Sequence, residues 1–557
     1  MPVAEPVDPV VDFALADLHT VVDLALGRGA LLLTRGERLV VDQIRALSGQ
    51  TGAAYARLSN RVTTVWSEDV VPVDVAEELV KRGLLSRLVT WSQRADTLTL
   101  PALKQGCRTL GLPVSGKRAH VVERLRGQTH WTDQGFLRLR HPRLILRLER
   151  WALLRRRPDR SAFVVGRLGV VRWPDYLPTL GVGLFATRAV WRRWSHRLRV
   201  MDGATPEDWL AWLDAGDAPA PGRLSLVRPL TRRLMEAARQ LERCREPAAA
   251  AVIYERLADG GHVMADGIAA RHALALESAG ESSAALGVLA RALPAARPHH
   301  SIGIHRTAKR LSRRLKRGWP PAPPLRPLVE RRMRLTQLPS EQARPLWQGQ
   351  GGATVIEQAV MDAVAQVGRI ALSAEGTLWR TLFAVFFADL YFLPVAGALP
   401  TPFLTGPLDL GTENFEARRR PQIETLFAAI RAGSSEDLIR DAWRRWHGCA
   451  LTGAVWSSVT QAQLVAVAKG LGPEPLVAML AHLLRHGLRS TSGLPDLVVL
   501  PGPVARIDGF PSRIPNDLVC VEVKGPTDSL RDGQRVWLDR LVSIGISAEV
   551  WHVDPRP

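Results

Sequence analysis

With 557 residues the chain exceeds what one hydrophobic core can organise, so three or four domains are expected. Apolar residues make up 46% and aromatic residues 6%, which excludes a disordered chain and suits a largely helical one, while a formal charge of +20, mostly from arginine, favours a polyanionic partner. Cys107, Cys244, Cys449 and Cys520 stand singly, which argues against a disulfide scaffold or a clustered zinc site and fits a reducing compartment.

In chain order, Met1 to Pro9 is acidic and proline-rich without a basic-then-apolar pattern, so no signal peptide is expected. Helical periodicity runs from Val11 to Leu26, Glu37 to Leu47 and Ala53 to Trp66, the last with Tyr55, Leu58, Val62 and Val65 opposite Arg57 and Arg61. Asp74 to Arg82 reads as a helix ending at Gly83, with a short strand at Leu84-Leu85, like the second half of a winged-helix-like unit. Residues 1–95 are taken as a helical N-terminal region.

Residues 96–200 come next. Leu100-Pro101-Ala102-Leu103-Lys104, Leu110-Gly111-Leu112-Pro113, Gly116-Lys117-Arg118 and Val121 to Leu125 resemble a SAP motif. Two short amphipathic helices would bracket a glycine turn whose amides, with Lys117 and Arg118, suit phosphate contacts. From Leu137 to Arg160 arginines, among them Arg138, Arg140, Arg143, Arg147 and Arg155 to Arg157, interleave with Leu144, Ile145, Leu148 and Trp151. Arg192, Arg193 and Arg197 repeat the theme beside Trp191 and Trp194, as a basic helical extension able to meet a phosphate backbone.

Residues 201–325 show paired helices, Leu234 to Leu241, Ala248 to Leu257, Ala269 to Ala279, Ser283 to Ala292 and His305 to Leu315, with small residues set against large ones as in tetratricopeptide-like stacks. The last helix is basic. Pro320, Pro321, Pro323 and Pro324 then mark a linker. No apolar run spans a bilayer, since Leu382 to Val395 is broken by Asp389 and Pro394, and no membrane partner is expected.

Residues 326–557 carry the chemistry. A helix over Leu476 to Leu484 leads into Arg485, His486 and Arg489, a basic loop placed to bind phosphate; His486 is read as solvated rather than as a general base. Asp496 starts one short buried strand, and Val519 to Val523 makes another on which Glu522 and Lys524, two apart, project from one face while Val523 points into the core. Two carboxylates with a lysine beside them can hold a hard divalent cation, Mg2+ or Mn2+, and orient an attacking water for phosphodiester hydrolysis. The connection Pro501 to Asp517 between the strands is long.

Pro495-Asp496 followed by Glu522-Val523-Lys524 resembles the PD-(D/E)xK nuclease superfamily, and GLPDLVVL, EVKGPTDSL and QRVWLDRL resemble the VRR-NUC branch, in particular the Fanconi-associated nuclease family. The resemblance implies a mostly α, multidomain chain ending in an α/β nuclease domain with a mixed sheet, its β-β-α-β half formed by the two strands, a helix capped by Asp528 and a strand over Ala548 to Val553. It implies that Glu375, in the helix of Ala374 to Phe383, joins Asp496 and Glu522 as metal ligand, that the Val523 carbonyl adds another, that Gln534 stands near the metal water, and that Arg380 meets phosphate.

It also implies a 5′-flap endonuclease and 5′ to 3′ exonuclease of branched or flapped duplex DNA in interstrand crosslink repair, monomeric on DNA, with the N-terminal region binding DNA. The arginine- and alanine-rich composition suggests a bacterial protein at the nucleoid in the cytoplasm. No Cys/His cluster resembles the ubiquitin-binding zinc finger of the animal relatives. A junction-resolving enzyme of the same superfamily, or a non-catalytic DNA scaffold, are the other classes that share these features.

Overall fold

The computed structural model describes residues 9–61, 63–126, 128, 135–153, 160–179, 224–259, 265–296, 298–322, 324–339, 345–491, 493–502, 505–506, 513–514 and 517–556. These fall into two compact units, the first drawn from the described residues of Met1–Val171, Pro178–Ser195 and Pro400–Phe403, the second from the rest.

In the first unit, helices Pro9–Gly29, Arg35–Arg45 and Gly49–Ser59 precede Val73–Lys81. The third helix stops at Ser59 rather than running to Trp66, because Val65–Ser67 is drawn into a strand that pairs with Phe136–Leu139. Gly83, at φ +71°, ends the fourth helix, and Leu85–Ser86 follows as the other partner of Phe136–Leu139, register Leu85 to Leu139. The wing-like sheet thus runs 65–67, 136–139, 85–86. Helices Trp91–Thr97, Leu100–Thr109 and Arg118–Leu125 leave from one of two paired strands and return at the other, around a small core of Leu103, Cys107, Val121 and Leu125.

The second unit begins with helices Leu224–Arg243, Pro247–Asp259, Ala265–Ser278, Ser282–Ala292 and α1 (Pro298–Arg314), each packed on its neighbour in sequence. Strand β1 (Val329–Leu335) follows, then helix α2 (Ile356–Gln366), β2 (Ala371–Ser373) and helix α3 (Leu378–Tyr391). Further helices lead to α4 (Pro473–His486), and the chain ends with β3 (Leu497–Val499), β4 (Val519–Lys524), α5 (Asp532–Ser543) and β5 (Ser547–Pro555). The five strands form one mixed sheet in the order β1-β5-β4-β3-β2, with β1, β5 and β4 parallel and β3 antiparallel to both of its neighbours, β4 and β2.

Side-chain alternation splits the sheet into two faces. Leu497, Val499, Val519, Val521, Val523, Trp551 and Met333 pack against α2, whose Val360 and Val364 are fully buried. Val498, Cys520, Ala548 and Val550 face the larger core that holds α3, α4 and α5. Burial on both faces is what the continuous β-branched runs of β3 and β4 require. Among the described residues no single helix is long and apolar enough to cross a membrane.

Candidate active site

The last register pair of β3 with β4 is Leu497 with Val521, so the next residue of each strand, Asp496 and Glu522, come opposite one another on the face shared with α5. The Val523 N–H donates to Asp496 Oδ2 at 2.8 Å and fixes that carboxylate. Glu522 and Lys524 are only 1% and 7% exposed, and Lys524 Nζ lies 2.9 Å from Glu522 Oε1. Gln534, in the first turn of α5, spans both: its Nε2 donates to Glu522 Oε1 at 2.5 Å, and its Oε1 accepts from Lys524 Nζ at 3.2 Å and from the Arg531 N–H at 2.9 Å.

The α5 cap differs from expectation. Asp528 does not cap this helix; its Oδ2 accepts the Gly525 N–H at 3.3 Å, closing a separate turn after β4, and the helix starts at Asp532 with Gln534 completing the box at Arg531. Gln534 is therefore held in place by the cap that starts its own helix.

Burial pushes both carboxyls up, Asp496 to about 6 and Glu522 to about 8. The neighbouring Asp496 charge raises Glu522 further, while the Val523 N–H and Lys524 act against the rise at Asp496. Glu522 Oε2 is buried without a hydrogen-bond partner. Two crowded carboxylates and an unpartnered buried oxygen are a donor set that suits a cation. Among the described residues no group of three or more His, Cys, Asp or Glu stands close enough to hold a metal by itself. A magnesium-like ion, which keeps several waters and takes one or two carboxylates together with substrate phosphates, fits a two-carboxylate site of this kind.

Glu375 lies outside that pair. It is exposed, in the turn before α3 with Gly376 at φ +71°, and not within the helix, which begins at Leu378; its charge still reaches Asp496. Sequence reasoning missed Glu357, half-buried in the first turn of α2, whose charge also raises Asp496. A methyl group built on Gly525 would meet Ile356 at 3.5 Å, which places the start of α2 beside the end of β4. No spacing rule brings these segments together; a glutamate opening an apolar helix was the only signal.

Arg380 is half-buried in the first turn of α3, and Arg485 is exposed in the last turn of α4, its charge felt by Arg540 on α5. The Arg489 side chain lies outside the described residues. In the first unit Lys117 is exposed at the N-terminus of helix Arg118–Leu125, whereas Arg118 is half-buried and donates to the Ala95 carbonyl at 2.5 Å, a structural contact. Of the arginine-rich run, Arg147 pairs with Glu37 at 2.5 Å and Arg160 donates to Glu149 and Ser59, so these hold helices together; Arg155 to Arg157 and the 191–197 stretch lie outside the described residues.

Comparison with known proteins places this geometry. The VRR-NUC domain family matches residues 430–555, and the SAP domain family matches residues 94–129. Similar proteins include the Fanconi-associated nuclease 1 homolog of Oryza sativa subsp. japonica, 32% identical over 182 residues covering 33% of this chain and 18% of that protein. Fanconi-associated nuclease 1 of Danio rerio is 34% identical over 217 residues, 37% of this chain and 21% of that protein. The homolog of Pseudomonas aeruginosa is 28% identical over 289 residues, 51% of this chain and 45% of that protein. The matched segments thus span about a fifth of the plant and fish proteins and under half of the Pseudomonas one. A crystal structure of paFAN1 bound to 5′-flap DNA with a two-nucleotide flap and a gap superposes with a TM-score of 0.75 at 22% identity, over 99% of this chain and 100% of that one. The chain thus carries a VRR-NUC domain and a SAP domain, is similar in sequence to Fanconi-associated nucleases over those matched segments, and shares its fold with paFAN1.

Proposed function

We propose that this chain is a metal-dependent DNA nuclease that recognises branched duplexes, cutting 5′ flaps and degrading 5′ to 3′, in the repair of interstrand crosslinks. The observation that carries the reading is the buried, unpartnered Glu522 Oε2 opposite Asp496, beside Lys524 and Gln534. Asp496 and Glu522 would hold Mg2+ or Mn2+, with the Val523 carbonyl and Glu375 as further oxygen donors. When bound, the ion supplies charge neutralisation at the phosphate and a lowered water pKa.

The chain's own groups do the rest. Lys524 Nζ, held by Gln534 Oε1, is placed to orient the attacking water and to stabilise charge developing on phosphate oxygens. Gln534 fixes Lys524 and Glu522 in one geometry, and β4 and α5 supply the rigid support. Lys117, Arg380 and Arg485 would grip duplex arms through phosphates, without reading sequence. Named relatives are nucleases, and paFAN1 was crystallised with 5′-flap DNA, which supports the substrate class. The proposed setting is the bacterial cytoplasm, with the chain monomeric on DNA.

The test is incubation with flap duplexes labelled at either the 5′ or the 3′ end, with Mn2+ or with chelator. Metal-dependent release of the 5′ flap supports the reading. Cleavage that persists in chelator, or none on any branched DNA, overturns it.

A further inference from the structure

Helix α1 closes the helical stack and packs against α5, the helix that carries Gln534. Between Arg306 and Arg317 every charged side chain is basic. These side chains divide into groups with different tasks. Arg310 and Arg314 reach back to Glu277, Arg314 also to the Ser282 hydroxyl, and Arg317 donates to Ser283 at 2.9 Å, so this group fastens α1 to the preceding helices. Arg306 pairs with Asp532, the first residue of α5 and two before Gln534, and so ties α1 to the catalytic helix.

Lys309, Arg313 and Lys316 are left over. All are exposed, and among the described residues no carboxylate pairs with them. At about 100° per residue, positions 306, 309 and 313 share one face, with Lys309 and Arg313 about 5 and about 10 Å along the axis from Arg306. Lys316 continues the run just past the helix end, in a left-handed conformation at φ +52°. Like charges at this spacing repel one another, and a polyanion laid along them relieves the repulsion. Trp319, the aromatic residue next in sequence, donates its ring N–H to His305 Nδ1 at 3.0 Å and so is engaged within the protein. The run offers cations, not a stacking platform.

We propose that Lys309, Arg313 and Lys316 are a phosphate track that holds the backbone of the nucleic-acid strand where it runs past the first turn of α5. This rests on the nuclease reading and adds to it the route of the strand beyond the site. Contact is with phosphates, independent of base sequence, and each engaged cation releases counterions.

The experiment is fluorescence anisotropy of the full chain with a labelled flap duplex in chelator, between about 50 and 200 mM salt. For the Lys309→Gln/Arg313→Gln double variant, weaker binding is expected, with the slope of log K against log salt reduced by about 1.4 to 1.8, and Lys316→Gln alone should reduce it by about 0.7 to 0.9. The charge-keeping pair Lys309→Arg/Arg313→Lys should restore the wild-type slope. If the double variant or Lys316→Gln melts at the wild-type temperature and keeps the wild-type slope, the track is overturned while wild-type cleavage leaves the nuclease reading standing. A wild-type chain that neither binds nor cuts flap DNA overturns both.

Discussion

At Asp496 and Glu522 a fold has placed carboxyls where burial and mutual repulsion oppose their charge, an arrangement that only a cation or protons can relieve. Without metal, protons do so. The folded values of about 6 and about 8 exceed the unfolded carboxyl values near 4, so from pH 4 to 8 the folded chain binds more protons than the unfolded one and loses stability as pH rises. Glu522→Gln removes the larger part of this dependence. In chelator its melting temperature should gain on wild type from pH 5 to about pH 8 and level off above that, and a gain that is flat across pH 5 to 8 would show that Glu522 titrates normally. Mn2+ should accordingly raise the wild-type melting temperature more at pH 8.5 than at pH 6, because fewer protons then compete. Asp496→Ala or Lys524→Ala should lower cleavage by about a thousandfold or more with flap binding nearly unchanged, measured by single-turnover cleavage beside anisotropy. Equal losses in both would place these residues in binding instead.

Elements, not single residues, decide whether that cluster is rigid. The loop before β3 approaches the start of α5 backbone to backbone: a methyl group on Gly493, at φ +91°, would stand 3.0 Å from the Gly533 carbonyl carbon and 3.2 Å from the Gln534 nitrogen. Gly493→Ala should therefore cost about 1–3 kcal/mol in urea unfolding and reduce cleavage, because α5 must move and take Gln534 with it. Unchanged stability and rate would mean that the loop yields freely. Strands β3 and β4 were legible in sequence because burial on both faces leaves uninterrupted β-branched runs. Strand β1, Val-Glu-Arg-Arg-Met-Arg-Leu, was not. As an edge strand it buries only Met333 and Leu335, while Arg331 is satisfied by both oxygens of Glu549 across on β5, a partner far away in the chain.

At the scale of the whole molecule, the basic balance divides into cations that hold the fold and cations left for a partner. Lys117 and Arg118 are neighbours in one motif yet belong to different groups, because Arg118 is turned onto the Ala95 carbonyl. Lys117→Ala should reduce the salt slope of flap binding by about 0.7 to 0.9 without changing the melting temperature. Arg118→Ala should lower the melting temperature, since it frees a half-buried carbonyl contact between helices. A full charge effect from Arg118 with unchanged melting would assign it to DNA instead.

The sequence by itself determined what is local: the alternating faces of β4, the helix periods of the stacked pairs, the glycine turn of the SAP motif and the Asp, Glu and Lys of the candidate site, each readable because strand and helix periods act over a few residues. Only the tertiary structure decided which distant groups share a field or a bond. It set Glu357 near Asp496, fixed Gln534 between Glu522 and Lys524, and joined Arg306 to Asp532. Such pairings follow from strand register and helix packing, which act through space between segments whose separation in the chain carries no signal of their contact.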